Sequence, residues 1–91
     1  MHAVIRSYSG ASAKKLFDLL DEHKGDVERA LRAVPGFTSY LLLRTADGGT
    51  SVTVCRDKAG CDVSMKVAAD WVKANAGDLK TAPPTVSEGS V

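Results

Sequence analysis

Residues 34–55, VPGFTSYLLLRTADGGTSVTVC, decide how this chain folds. Pro35-Gly36 stops any helix arriving from upstream, and from Phe37 the run reads as strand, tight turn and strand. Asp-Gly is a favoured central pair for a type I′ hairpin turn. With Asp47 and Gly48 as the turn residues, Leu43 faces Val52, Leu41 faces Val54, Leu42 faces Thr53 and Tyr40 faces Cys55. One face then carries Phe37, Ser39, Leu41, Leu43, Val52 and Val54. The other carries Thr38, Tyr40, Leu42, Arg44, Ser51, Thr53 and Cys55. An antiparallel sheet commonly keeps one face dry and one wet, yet here apolar side chains fall on both.

The flanking segments supply the remaining elements. Residues 2–8, HAVIRSY, read as a first strand, with turn chemistry in the SYSGAS that overlaps its end. Ser9 or Ser12 can cap the helix that follows. Its stripe is Leu16, Leu20, His23, Val27, Leu31 and Val34, spaced three or four apart, and Gly25-Asp26 predicts a kink or short break in it. After the hairpin, RDKAGCD leads to a second helix over roughly 59–76, with Met65, Ala68, Val72 and Ala76 on one face flanked by Val67 and Trp71, and Gly77 as a stop. Residues 78–85 read as a proline-bearing linker to a C-terminal edge strand.

The order β-α-β-β-α-β is the ferredoxin-like α+β arrangement, a four-stranded antiparallel sheet with two helices on one face. The helices are expected over Leu41, Leu43, Val52 and Val54. That leaves Tyr40, Leu42, Thr53 and Cys55 for the same face of a second copy, a homodimer with two-fold symmetry.

Ninety-one residues make one domain, 1–91, able to bury roughly 60–65% of its unfolded surface. Twelve basic against eleven acidic residues give a formal charge of +1, so no global field favours nucleic acid or an acidic membrane as partner. No apolar run is long enough to span a bilayer, and the MHAVIRSY start does not read as a signal peptide, so the expected location is cytoplasmic. Cys55, Cys61, His2 and His23 form no metal-ligand spacing, and no metal is expected.

With the PGF that ends the first helix, the R-T-x-D-G-G hairpin, RDKAG and the A-A-D-W-V of the second helix, the chain resembles the dimeric α+β barrel superfamily, in its antibiotic-biosynthesis-monooxygenase-like branch. The resemblance spans nearly the whole chain. It implies dimerisation of sheet against sheet and a small cavity between sheet and helices. Some members oxidise electron-rich aromatic molecules with oxygen alone, so no cofactor is implied, and others degrade heme. Trp71 matches the tryptophan of the oxygenase members. Their nearby asparagine has no counterpart one turn earlier, where Val67 stands, while Asn75 lies one turn later. NAGDLKTAPP holds no histidine to serve as the iron ligand of a heme degrader.

The residues themselves yield a short set of candidates. Trp71 reads either as a pocket wall or as a core anchor. Arg6, Arg44 and Arg56 are strand arginines able to meet an anion, and Arg56, sharing a face with Ser39 near the sheet's end, is the preferred ligand contact. Cys55 and Cys61 read as unpaired structural thiols, His23 as a helix-boundary histidine, and Glu88 as a partner for a basic group. The expected function is a small-molecule-binding or accessory module for an apolar or aromatic ligand. The alternative is a cofactor-independent monooxygenase acting on a phenolic or quinol-like substrate, with Trp71 and Asn75 as catalytic candidates.

Overall fold

The structure is a computed structural model, and it describes residues 1–79 and 82–91. The chain runs β1 (His2–Ser9), α1 (Ala11–Glu22), α2 (Lys24–Arg32), β2 (Phe37–Thr45), β3 (Gly48–Cys55), α3 (Lys58–Ala76) and β4 (Thr85–Ser90), with a 3-10 turn at Gly77–Leu79. The strands form one antiparallel sheet in the order β2-β3-β1-β4. Of the expected linker 78–85, residues 80 and 81 lie outside the described residues.

The first helical segment breaks at His23, two residues before the expected Gly25. His23 leaves helical geometry while its N–H still donates to Leu19 O at 3.0 Å and its carbonyl accepts from Asp26 and Val27. The layer over the sheet therefore holds three helices. Neither expected serine caps α1: Gly10 occupies that position without a side-chain bond. At α3 the Asp57 carboxylate accepts from Gly60 N at 2.9 Å, satisfying a free donor of the first turn.

The hairpin register is shifted by two residues from the expected one. Leu43 pairs with Thr50, Leu42 with Ser51, Leu41 with Val52 and Tyr40 with Thr53, leaving Ala46 and Asp47 in the turn. Gly48 and Gly49 belong to β3. A Cβ on Gly49 would overlap the Phe17 ring, and one on Gly48 would overlap the Tyr8 carbonyl and lie 2.8 Å from Ala13 Cβ. The glycines serve the close approach of α1 to the sheet, a demand from a distant segment that the local turn signal does not contain.

From Ser39 onward a shift of two preserves which residues share a face, whereas the irregularity before Ser39 moves Phe37 from the expected Leu41 face to a place opposite Cys55 against the core. The helices take the opposite face from the one expected. They cover Tyr40, Leu42, Thr53 and Cys55, and Thr53 and Cys55 have no exposed surface at all within the single chain. These residues are therefore not the open face of the sheet. Leu41, Leu43, Val52 and Val54 are, together with Ala3 and Ile5. The physical reason lies in β3, whose inward positions are Gly49, Ser51, Thr53 and Cys55. Small side chains there let the helices bring Leu16, Phe17, Leu20 and Leu31 down onto the sheet.

The main cluster joins those four to Val27 and Ala76, and a second, smaller one holds Val4, Cys55 and Cys61. Val4 lies in the second cluster and Tyr8 packs against the first, and Arg6 stands between them on β1.

Candidate functional site

On β1 the inward positions are Val4, Arg6 and Tyr8. Val4 and Tyr8 obey the strand's alternation, whereas Arg6 carries a charge into the same layer. It is 5% exposed, and its Nε donates to the Ser51 hydroxyl at 3.2 Å from the neighbouring strand. Among the described residues no carboxylate lies within 4.0 Å of its guanidinium. Its remaining guanidinium nitrogens are not among the buried unpartnered atoms, so they reach the space beside the side chain.

Two spaces border this arginine. The inner one is a crevice of about 20 Å³, room for about a single water. Arg6, Tyr8, Tyr40 and Ser51 floor it from the sheet, and Trp71 and Val72 of α3 roof it. The outer one is a pocket of about 400 Å³ opening between β1, α3 and the segment before β4. Arg6, Tyr8 and Val72 border both. Met65, Ala69 and Ala76 of α3 form one wall of the outer pocket, Pro83 and Pro84 the other, and Lys73 stands on its edge.

Aromatic side chains fix the inner end. Tyr8 packs edge-on against Phe17 with ring centroids 5.8 Å apart. The His23 ring at the helix break lies 6.0 Å from Trp71, tilted by 56°, and its Nδ1 is 3.7 Å from Asp26. Burial pushes the Tyr40 phenol up to about 12, with the Arg6 cation acting in the opposite direction and Tyr8 adding to the rise. Tyr40 is therefore a neutral hydrogen-bonding group here rather than a ready proton acceptor.

The expected site residues do not all assemble. Trp71 lines the inner crevice. Asn75 is exposed, lines neither space, and uses its amide to donate to the Trp71 carbonyl at 2.9 Å, a helix-backbone bond. Arg56 lines a separate space of about 400 Å³ with Pro35, Gly36 and Asp57, and Ser39 another of about 650 Å³ beside Glu28 and Arg32. The strand irregularity between Phe37 and Ser39 contributes to this, since it interrupts the pairing that was to bring Ser39 towards Arg56. Among the strand arginines it is Arg6 that faces the cavity. Arg44 instead ties β2 to α1, bonding Asp18, Asp21 and the Phe17 carbonyl. The signal for Arg6 was present in the sequence as a charge at an inward position of an otherwise alternating strand.

Cys55 and Cys61 are free and buried, and burial followed by the neighbouring Cys61 raises the Cys55 thiol well above its ordinary range. Cys61 Sγ donates to the His2 carbonyl at 3.2 Å. Both thiols thus act as small core groups. Glu88 bridges His2 Nε2 at 2.9 Å and Lys58 Nζ at 3.3 Å, tying β4 to β1 and α3. No group of three metal-ligating side chains occurs among the described residues, and no helix there is long and apolar enough to cross a membrane.

No protein-family model and no curated protein matches the chain. Solved structures do. The NE2512 protein of unknown function from Nitrosomonas europaea superposes with a TM-score of 0.70 at 18% identity, over 99% of this chain and 86% of that one. The ActVA-Orf6 monooxygenase of Streptomyces coelicolor, solved with nanaomycin D, gives 0.63 at 21% identity over 99% and 85%. The Mycobacterium tuberculosis heme degrader MhuD, with two hemes in its active site, gives 0.68 at 17% identity over 100% and 95%. The fold these structures share with the chain is the ferredoxin-like α+β fold. At these identities the likeness is one of architecture, and function has to be argued from the site.

Proposed function

We propose that the protein is a homodimeric module that binds a small, largely apolar molecule in the pocket between β1, α3 and the segment before β4, with the Trp71 crevice as its inner end. The observation that carries this reading is the pocket itself: about 400 Å³ of mostly apolar wall converging on one buried arginine. ActVA-Orf6 and MhuD, which share the fold, are solved with nanaomycin D and with two hemes bound, which supports a small-molecule ligand here. Trp71 is the sole tryptophan, so its fluorescence reports on the crevice directly. Saturable quenching or a wavelength shift on titration with naphthalene-sized molecules supports the reading. No response in fluorescence and no heat of binding across such a panel would sink it.

The dimer half of the proposal rests on the open sheet face. Ile5, Leu41 and Leu43 remain 39%, 54% and 47% exposed, with Val52 paired between Ile5 and Leu41. A contiguous apolar row on a central part of a sheet calls for a cover, and two-fold pairing supplies one from the same sequence.

A second reading, cofactor-free oxygenation of a phenol or quinol, is favoured by Arg6, whose charge can stabilise a phenolate next to Trp71 and the neutral Tyr40. The expected sign is oxygen consumption with naphthalenediols that saturates with substrate and falls at least about tenfold in Arg6→Met. Equal rates in variant and parent would refute it. Heme chemistry is not favoured, because the chain's two histidines, His2 and His23, line neither space.

A further inference from the structure

Resting on the ligand-binding reading above, we propose that the molecule this pocket takes is an organic acid. Its apolar body fills the outer space, and its carboxylate or sulfonate sits between Arg6 at the inner end and Lys73 at the rim.

Arg6 and Lys73 are the cations lining the outer pocket among the described residues, and no acid there is paired with either. Asp18 and Asp21 are taken by Arg44, Asp26 by Arg29, Glu28 by Arg32, and Glu88 by His2 and Lys58. Asp70, three residues before Lys73, bonds Lys66 at 3.1 Å. Arg6 lies inside the protein with only its Nε hydrogen-bonded to a protein group among the described residues. The remaining donors of the guanidinium fork belong to a side chain that borders both spaces, and a planar carboxylate or a sulfonate is the group that matches such a fork. Among the described residues no acidic side chain lines the outer pocket, so none of them repels an anion or competes with it.

The remainder of the lining selects the rest of the molecule. Met65, Ala69, Val72, Ala76, Pro83 and Pro84 offer no hydrogen-bonding side chain. A small hydrophilic anion such as phosphate would leave that surface unused, and a neutral hydrocarbon would leave the arginine without a partner. An acid with an apolar body satisfies both. Nothing in this geometry requires the molecule to be oxidised.

Isothermal titration calorimetry with 2-naphthoate and 2-naphthamide separates the two parts of the argument, because the pair shares a ring system and differs in charge. The wild-type protein is expected to bind the naphthoate at least about tenfold more tightly than the amide. In Arg6→Met that preference disappears while the amide's affinity stays within about threefold, and Lys73→Ala, removing an exposed cation, weakens the naphthoate only by about two- to fivefold. Equal binding of both compounds to the wild type would overturn the acid while leaving an apolar pocket standing. A preference for naphthoate that survives in both variants would place the anion elsewhere and overturn it too. Binding of neither compound would bring down the ligand-binding reading and this inference together. The wild-type comparison decides the matter even if Arg6→Met fails to fold.

Discussion

Leu41→Asp is the substitution that tests the assembly most directly. Leu41 sits in the middle of β2 on the open face, paired with Val52 and 54% exposed in the single chain. Full burial of a leucine side chain is worth about 1.5–3 kcal/mol, so covering the exposed half contributes about 1 kcal/mol. A two-fold interface uses the residue twice, and Leu41→Ala should therefore weaken the dimer by about 2 kcal/mol, or about thirtyfold in Kd. Aspartate adds the cost of desolvating a carboxylate in each subunit, several kcal/mol apiece, and should move Kd by about three orders of magnitude or more. Sedimentation velocity across a dilution series, with circular dichroism to establish that the monomer stays folded, reads both variants. Val63→Asp is the control, an exposed valine on α3 that should leave the dimer unchanged. A Leu41→Asp protein that dimerises like its parent, or a parent that is monomeric at high concentration, would refute the assignment of this face. The neighbouring Leu42→Asp should behave differently, since Leu42 packs against the core beneath the helices and its loss should unfold the chain rather than split a dimer.

Three further outcomes follow from the same geometry. Gly49→Ala should destabilise the protein by about 1–3 kcal/mol in urea unfolding, because its methyl group would overlap the Phe17 ring, and shrinking that ring with Phe17→Leu should make the alanine cheaper; an unperturbed Gly49→Ala would show that α1 does not lie where described. Asp57→Ala removes the side-chain cap of α3 and should cost about 1 kcal/mol, with Asp57→Ser recovering much of it; a thermal melt identical to the parent's would show that the cap contributes nothing. Glu88 is held below the ordinary carboxylate range first by its hydrogen bond to His2 and then by Lys58. Its contribution is therefore complete above the unfolded value near 4.5 and is lost as pH falls through the lower folded value, so Glu88→Gln should flatten the acid limb of the stability profile, and an unchanged limb would contradict the tie.

Much of this protein was legible in the order of its residues. Period-two alternation in β2 and β3, the three-to-four spacing through α1, α2 and α3, and the stop at Pro35-Gly36 are local properties, and they led to the ferredoxin-like α+β fold. The two apolar faces of the hairpin were legible for the same reason. Which of them the helices cover was not. Alternation says that Leu41 and Leu42 point in opposite directions, but it is silent on which direction is inward. That choice was made by the small inward side chains of β3 and by Phe17, which arrives from more than thirty positions upstream and needs Gly49 beneath it.

The site divides along the same line. Trp71 was found from its place in α3, because one helix carries it to the cavity. Arg56 and Ser39 were expected together from a hairpin register that tertiary packing displaced by two residues. Arg6 was visible as one strand arginine among others. That no carboxylate among the described residues comes within 4.0 Å of it is decided only by the assembled fold. Sequence by itself determined the elements, their order and the amphipathic character of each, since these follow from backbone period and side-chain chemistry. Tertiary structure decided which sheet face is covered, which glycines are spacers and which arginine is left facing a cavity, because each of these depends on contacts between segments far apart along the chain.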